Sequence, residues 1–172
     1  MKGELNLIKE AQFHIVLVEP EIPQNTGNIV RTCSATGSVL HLVKPLGFSV
    51  DDKHLKRAGL DYWHEVEIYY YDHFQQLREK YPNSPFYFAS TKADRRYDQP
   101  QYEDGSFLVF GKETKGLPEG LLRDNYDRCI RIPMINDTRS LNLANSVSII
   151  LYEAYRQTGF EKFNTHGVLR GI

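Results

Sequence analysis

Arginine, asparagine, serine and glycine at the ends of hydrophobic runs are the residues of this sequence best suited to chemistry. They cluster in three short segments: PQNTGNIVR at 23–31, FGKETKGLP at 110–118 and IPMINDTRSLNL at 132–143. Each follows a β-like stretch, at 13–19, 107–110 and 129–132. In an open α/β sheet, the loops at the carboxyl ends of strands line the ligand crevice. Gly111 and Gly116 bracket a loop whose main chain can approach a ligand closely or adopt a positive φ. In the third segment, backbone amides and the Ser140 hydroxyl can bond a ligand's polar edge, while Ile132 and Met134 supply apolar walls. Packing alone does not call for these residue types at three strand ends together, so a shared binding site is expected. Each feature also has a plainer reading: Arg31 in a surface salt bridge, the glycines in an ordinary turn, Ser140 as a helix N-cap.

Several other chemistries are excluded. The loop at 111–116 misses the Walker pattern because Leu117, not Lys, follows the second glycine. No G-x-G-x-x-G follows the first strand and no G-x-S-x-G elbow is present. The six histidines lack metal-ligand spacing, and His14 and His41, inside strands, read as packed or hydrogen-bonded. No metal is expected.

The elements that must position the three segments alternate between strand and helix. Residues 13–19 form a β-branched strand ended by Pro20. Asn25 or Thr26 can cap the following helix, and Gly37 is placed to end it. Strands are expected at 39–43, 66–71, 86–90, 107–110 and 129–132, with a short basic helix from Asp51 or Asp52 to Gly59. Asp72 can cap a helix carrying Phe74, Leu77 and Tyr81, and a short helix follows Pro118. The last helix is expected to start near Ser140, to carry Ala144, Val147, Ile150, Leu151 and Ala154 as its apolar stripe, and to stop at Gly159. This alternation predicts an α/β fold: a mostly parallel sheet with helices on both faces.

With 172 residues, 41% hydrophobic and 25% charged, the chain reads as one soluble domain (1–172), a core over about 13–159 with terminal extensions at 1–12 and 160–172. No apolar run is long enough for a secretory signal or a membrane span, and two distant cysteines fit a reducing cytoplasm. A net charge of −1 means that any nucleic-acid site must be local: Lys53–Arg57 is the densest basic run, and Lys92, Arg95 and Arg96 form a second.

Four segments in this order, 19–31, 51–62, 110–118 and 130–143, carry a resemblance over nearly the whole chain. The sequence resembles the SPOUT class of RNA methyltransferases, and within it the small ribose 2′-O-methyltransferases of the tRNA wobble nucleotide (cytidine or uridine 34). The resemblance implies a C-terminal deep trefoil knot, S-adenosyl-L-methionine bound among the knot loops, and a homodimer. By motif position it implies cofactor contacts at Ala89, Gly111, Ile132, Met134, Ser140 and Leu141, with glycine at 111 explained by backbone lying against the cofactor. Ala89 stands where a larger aliphatic residue is usual. Arg31 becomes the catalytic residue. The family's usual account makes this arginine a general base; because a guanidinium stays protonated, holding a phosphate or the 2′-oxygen fits equally well. Asn25, Lys56, Arg57, Arg139 and Asn142 become the RNA-binding set, facing a tRNA anticodon loop across a groove built by two subunits. Methylation of another RNA such as rRNA, or a non-catalytic RNA-binding protein on the same scaffold, are the alternatives. A flavodoxin-like binder fits the α/β pattern and explains none of the motifs.

Overall fold

The computed structural model describes residues 12–50, 60–136 and 139–170. The expected helix at 51–59, with Lys53, Lys56 and Arg57, lies outside the described residues. Six strands form one sheet: β1 (His14–Val18), β2 (Val39–Val43), β3 (Ile68–Tyr71), β4 (Phe86–Ala89), β5 (Phe107–Phe110) and β6 (Cys129–Ile130), in the order β3-β2-β1-β5-β4-β6. Every pairing is parallel. Helices α1 (Pro23–Thr36), α2 (Phe74–Lys80), α3 (Glu119–Asp124) and α4 (Leu143–Gln157) cover it, with a 3₁₀ turn at Leu60–Glu65.

Strand side chains alternate between the two faces. Ile15, Leu17, Leu40, Leu42, Leu108 and Phe110 point towards α1 and α4, joining Ile29, Val30, Cys33, Val147, Ile150, Leu151 and Ala154 in one core. Val16, Val18, Val43, Phe107, Val109, Phe86 and Phe88 point the other way, onto Leu77 of α2 and Leu122 of α3. Both faces are buried, which is why these strands read as continuous apolar runs.

The sequence misplaced three helix starts. Helix α1 begins at Pro23 with Ile22 in the N-cap position and no side-chain cap, so neither Asn25 nor Thr26 caps it. Helix α2 has His73, not Asp72, at its N-cap; the Asp72 carboxylate instead meets the Lys44 ammonium at 3.0 Å. Helix α4 begins at Leu143, capped by Asn142, whose side-chain oxygen accepts from the amides of Ala144 and Asn145; Ser140 stands two residues before the cap. Gly37 ends α1 in the left-handed conformation, as expected. The last strand stops at Ile130, beyond which Arg131 forms an isolated bridge with Arg96.

His41 is fully buried in the sheet, its Nε2 at 2.9 Å from His14 Nδ1 and its Nδ1 at 3.1 Å from the Tyr71 hydroxyl. Burial, with the His14 and Lys80 charges adding to it, pushes its pKa down to about 3 from 6.5. The neutral ring is the folded form, so below pH 6.5 protons favour the unfolded chain. Stability is therefore flat above that pH on this group's account. It falls between there and about pH 3, by up to about 1.4 kcal/mol per pH unit. Urea titrations of wild type and His41→Asn across pH 4–7, approximately the range where the ring titrates when unfolded, should show a shallower slope in the variant. Parallel slopes would remove His41 from the acid response.

Candidate functional site

The carboxyl ends of β4, β5 and β6 and the start of α4 enclose a cavity of about 460 Å³. All six residues expected around the cofactor line it: Ala89 from β4, Gly111 after β5, Ile132 and Met134 after β6, and Ser140 and Leu141 before α4. Asn25 and Asn142 line it too. Its apolar wall comes from Leu122, Ile130, Leu143 and Ile150, its polar edge from Ser90, Thr91 and Ser146. Because Asn142 takes the capping role, the Ser140 hydroxyl is left exposed at the cavity.

Glycine at 111 has a reason inside the protein. A Cβ there would lie 2.1 Å from the carbonyl carbon of Gly116 and 2.2 Å from the amide nitrogen of Leu117. The 111–117 loop closes on itself through the space a side chain would fill, and Gly116 turns it with a φ of 67°. Backbone–backbone closure is by itself enough to demand this glycine.

The loop is fastened to the start of α1 by charged contacts that run in both directions. Glu113 accepts from the backbone amides of Glu21 (2.8 Å) and Ile22 (3.1 Å), the two residues that lead into α1. Glu21 in turn accepts from the amide and hydroxyl of Thr114, and Lys112 meets Glu19 at 2.7 Å. That bond raises the Lys112 pKa above its ordinary value. The Asn25 amide donates to Glu113 at 3.1 Å, while its oxygen accepts from the Asn142 amide at 3.0 Å. Glu113, Asn25 and Asn142 thus bolt α1, the glycine loop and α4 together. Asn25 is 6% exposed and its amide is engaged at both ends. Asn25 is thus held inside the protein, while Asn142, capping α4 and bonded to Asn25, remains exposed.

Arg31 does not line the cavity. It lies six residues beyond Asn25, about 9 Å further along α1 and roughly 120° round it. Its guanidinium is exposed and sits over the Tyr62 ring, 5.3 Å from the centroid. Arg139 is exposed next to Ser140. A second cleft of about 510 Å³ adjoins the cavity, lined by Glu19, Lys92, Lys112, Lys115 and Glu119. Its size is similar, but its walls hold salt-bridged surface groups rather than the convergent loops of the first. Among the described residues no group of three or more His, Cys, Asp or Glu converges as a metal site would require.

Sequence reasoning assigned no role to Glu113 or Tyr62.

The chain is similar to several known RNA methyltransferases. A Methylovorus glucosotrophus protein named tRNA (cytidine(34)-2′-O)-methyltransferase is 46% identical over 150 residues, 86% of this chain and 97% of its own length. A structure described as giving insight into the 2-OH methylation of C/U34 on tRNA superposes with a TM-score of 0.82 at 41% identity, covering 87% of this chain and 97% of that one. An AdoMet-bound rRNA methyltransferase from Sinorhizobium meliloti superposes with a TM-score of 0.76 at 26% identity, over 86% of this chain and 57% of that one. The model of the SpoU rRNA methylase family matches residues 12–152, and this chain belongs to that family.

Proposed function

We propose that this chain methylates the ribose 2′-hydroxyl of nucleotide 34 of tRNA, using S-adenosyl-L-methionine. The observation that carries this reading is convergence: Ala89, Gly111, Ile132, Met134, Ser140 and Leu141, from loops remote in sequence, meet in one cavity. A mixed apolar and polar lining at this volume suits a nucleoside with an amino-acid tail, within the usual range of about 300–1,000 Å³ for ligand pockets. The residues present fit the group. Leu122, Ile130, Ile132 and Leu141 would bury the adenosine, and Ser140 with Ser146 would hold polar edges. The smaller Ala89 still presents its backbone there. When bound, the cofactor supplies a methyl group on a sulfonium that leaves neutral, so the proposed reaction calls for no metal.

The protein's own work is alignment and charge placement. Arg31, the proposed catalytic residue, holds a phosphate or the 2′-oxygen, and the hydroxyl proton leaves through phosphate or water. Because Arg31 stands outside its own cavity, we assign it to the cavity of a second copy: the active unit is a homodimer in which each α1 completes the partner's site. Ile149 and Tyr152, exposed on α4, offer apolar surface for that contact. RNA is held by Arg139 and by Lys56 and Arg57, with Asn25 and Asn142 keeping the site in register. A tRNA anticodon loop is the target, in the cytoplasm; among the described residues no helix is long and apolar enough to cross a membrane. The C-terminal part of the chain folds as a deep trefoil knot, an exception to the usual unknotted connections, and residues 1–172 act as one methyltransferase domain.

The deciding experiment transfers labelled methyl from S-adenosylmethionine to bulk tRNA and maps the modified nucleotide. Label at ribose 34 is the expected outcome. Label confined to rRNA would replace the substrate, and no transfer to any RNA would leave only the binding scaffold.

A further inference from the structure

Arg31 presents an unusual combination for an exposed arginine: it is held, yet among the described residues nothing answers its charge. Its one described partner is the Tyr62 ring, 5.3 Å from the guanidinium carbon to the centroid. Among the described residues it makes no ion pair or hydrogen bond. A carboxylate stands close by on the same 3₁₀ turn, but Glu65 is committed to the Ser34 hydroxyl at 2.6 Å.

The geometry of the two elements explains this arrangement. Residues three apart are neighbours on an α-helix surface, which puts Arg31 and Ser34 on one side of α1. In a 3₁₀ turn residues three apart eclipse, which puts Tyr62 and Glu65 on one side of Leu60–Glu65. The elements therefore meet at two points, with ring under cation at one and hydroxyl on carboxylate at the other. Exchanging the partners would give Arg31 a salt bridge, and an RNA phosphate or ribose oxygen would then have to displace Glu65. A ring face attracts the cation without occupying its N–H donors in the guanidinium plane.

We propose that Tyr62 is the positioning residue of Arg31: its ring orders the guanidinium for the substrate while leaving charge and donors uncommitted. This inference rests on the assignment of Arg31 to the reacting ribose. The ring, not the hydroxyl, is what the role requires.

The test measures kcat, KM for each substrate and thermal stability in Tyr62→Leu, Tyr62→Phe, Arg31→Ala and the Arg31→Ala/Tyr62→Leu double variant. Tyr62→Leu keeps bulk against α1 and removes the π face. Its kcat should fall about 5- to 30-fold, the rate equivalent of a cation–π contact, with KM for S-adenosylmethionine unchanged and Tyr62→Phe within about twofold of wild type. In the Arg31→Ala background, read by single turnover, Tyr62→Leu should cause no further loss. Wild-type kcat in Tyr62→Leu, failure of Tyr62→Phe to restore it, or an equal loss in the Arg31→Ala background would each overturn the proposal. Full activity of Arg31→Ala would instead strike the function assigned to Arg31, so the two failures are told apart.

Discussion

Arg31→Ala should cut methyl transfer by about 100- to 1,000-fold, the usual cost of removing one group aimed at developing charge, while S-adenosylmethionine binds as it does to wild type. The separation follows from position: Arg31 lines no part of the cavity in its own subunit, and its guanidinium rests on Tyr62 outside it. Arg31→Lys keeps the charge but not the planar fork and should recover only part of the rate. Isothermal titration with the cofactor and labelled-methyl transfer to tRNA read the two halves; near-normal turnover, or lost cofactor affinity, would contradict the assignment. Mixed dimers decide which cavity Arg31 serves. Subunits carrying Arg31→Ala, paired with subunits whose cavity is blocked by Ile132→Trp, hold one intact cavity facing one intact arginine only if the arginine acts across the interface. Activity in the mixture, absent from either parent, is expected; an inactive mixture places Arg31 in its own subunit's site.

Gly111→Ala should be severely damaging, because the added methyl group has no room. The new Cβ would sit 2.1 Å from Gly116 and 2.2 Å from Leu117, both backbone atoms that no rotamer change can move aside. The loop must open. Lys112, Glu113 and Thr114 then lose register with Glu19, Glu21 and Ile22, and the cavity wall moves with them. Overpacking of this kind costs about 1–3 kcal/mol or more, and the expected readings are a Tm lower by several degrees and weakened S-adenosylmethionine binding. Gly116→Ala is the milder neighbour: nothing lies within 4 Å of its Cβ, and the cost is the strain of an L side chain at φ 67°, about 1–2 kcal/mol. Gly120→Ala, in open space on α3, should gain up to about 1 kcal/mol. Wild-type Tm and cofactor affinity in Gly111→Ala would show that the loop closes by another route.

Much of this architecture was legible because it depends on local pattern. Strands β1, β2, β4 and β5 announced themselves as β-branched and aromatic runs, since a parallel sheet buried on both faces leaves few polar positions, here His14 and His41, to interrupt them. The motif residues Ala89, Gly111, Ile132, Met134, Ser140 and Leu141 were assigned to one site, and they line one cavity. The errors fell where a side chain's partner lies far away in sequence. Ser140 is as good a cap by type as Asn142, and only the chain's entry angle into α4 gives the role to Asn142 and frees the serine. Asn25 reads in the sequence as a cap; its side-chain partners are instead Glu113 and Asn142, 88 and 117 residues away.

The amino-acid order by itself determined the parallel α/β layering, the strand ends that carry the site and the family to which the chain belongs. These follow from the period of hydrophobicity and from short motifs, which are local properties. Tertiary structure alone decided that Glu113 ties down the entry to α1, that Gly111 is held to glycine by its own loop, and that Arg31 rests on Tyr62 away from its own cavity. Each is a contact between distant segments, settled by which backbones the fold brings within a few ångströms of one another.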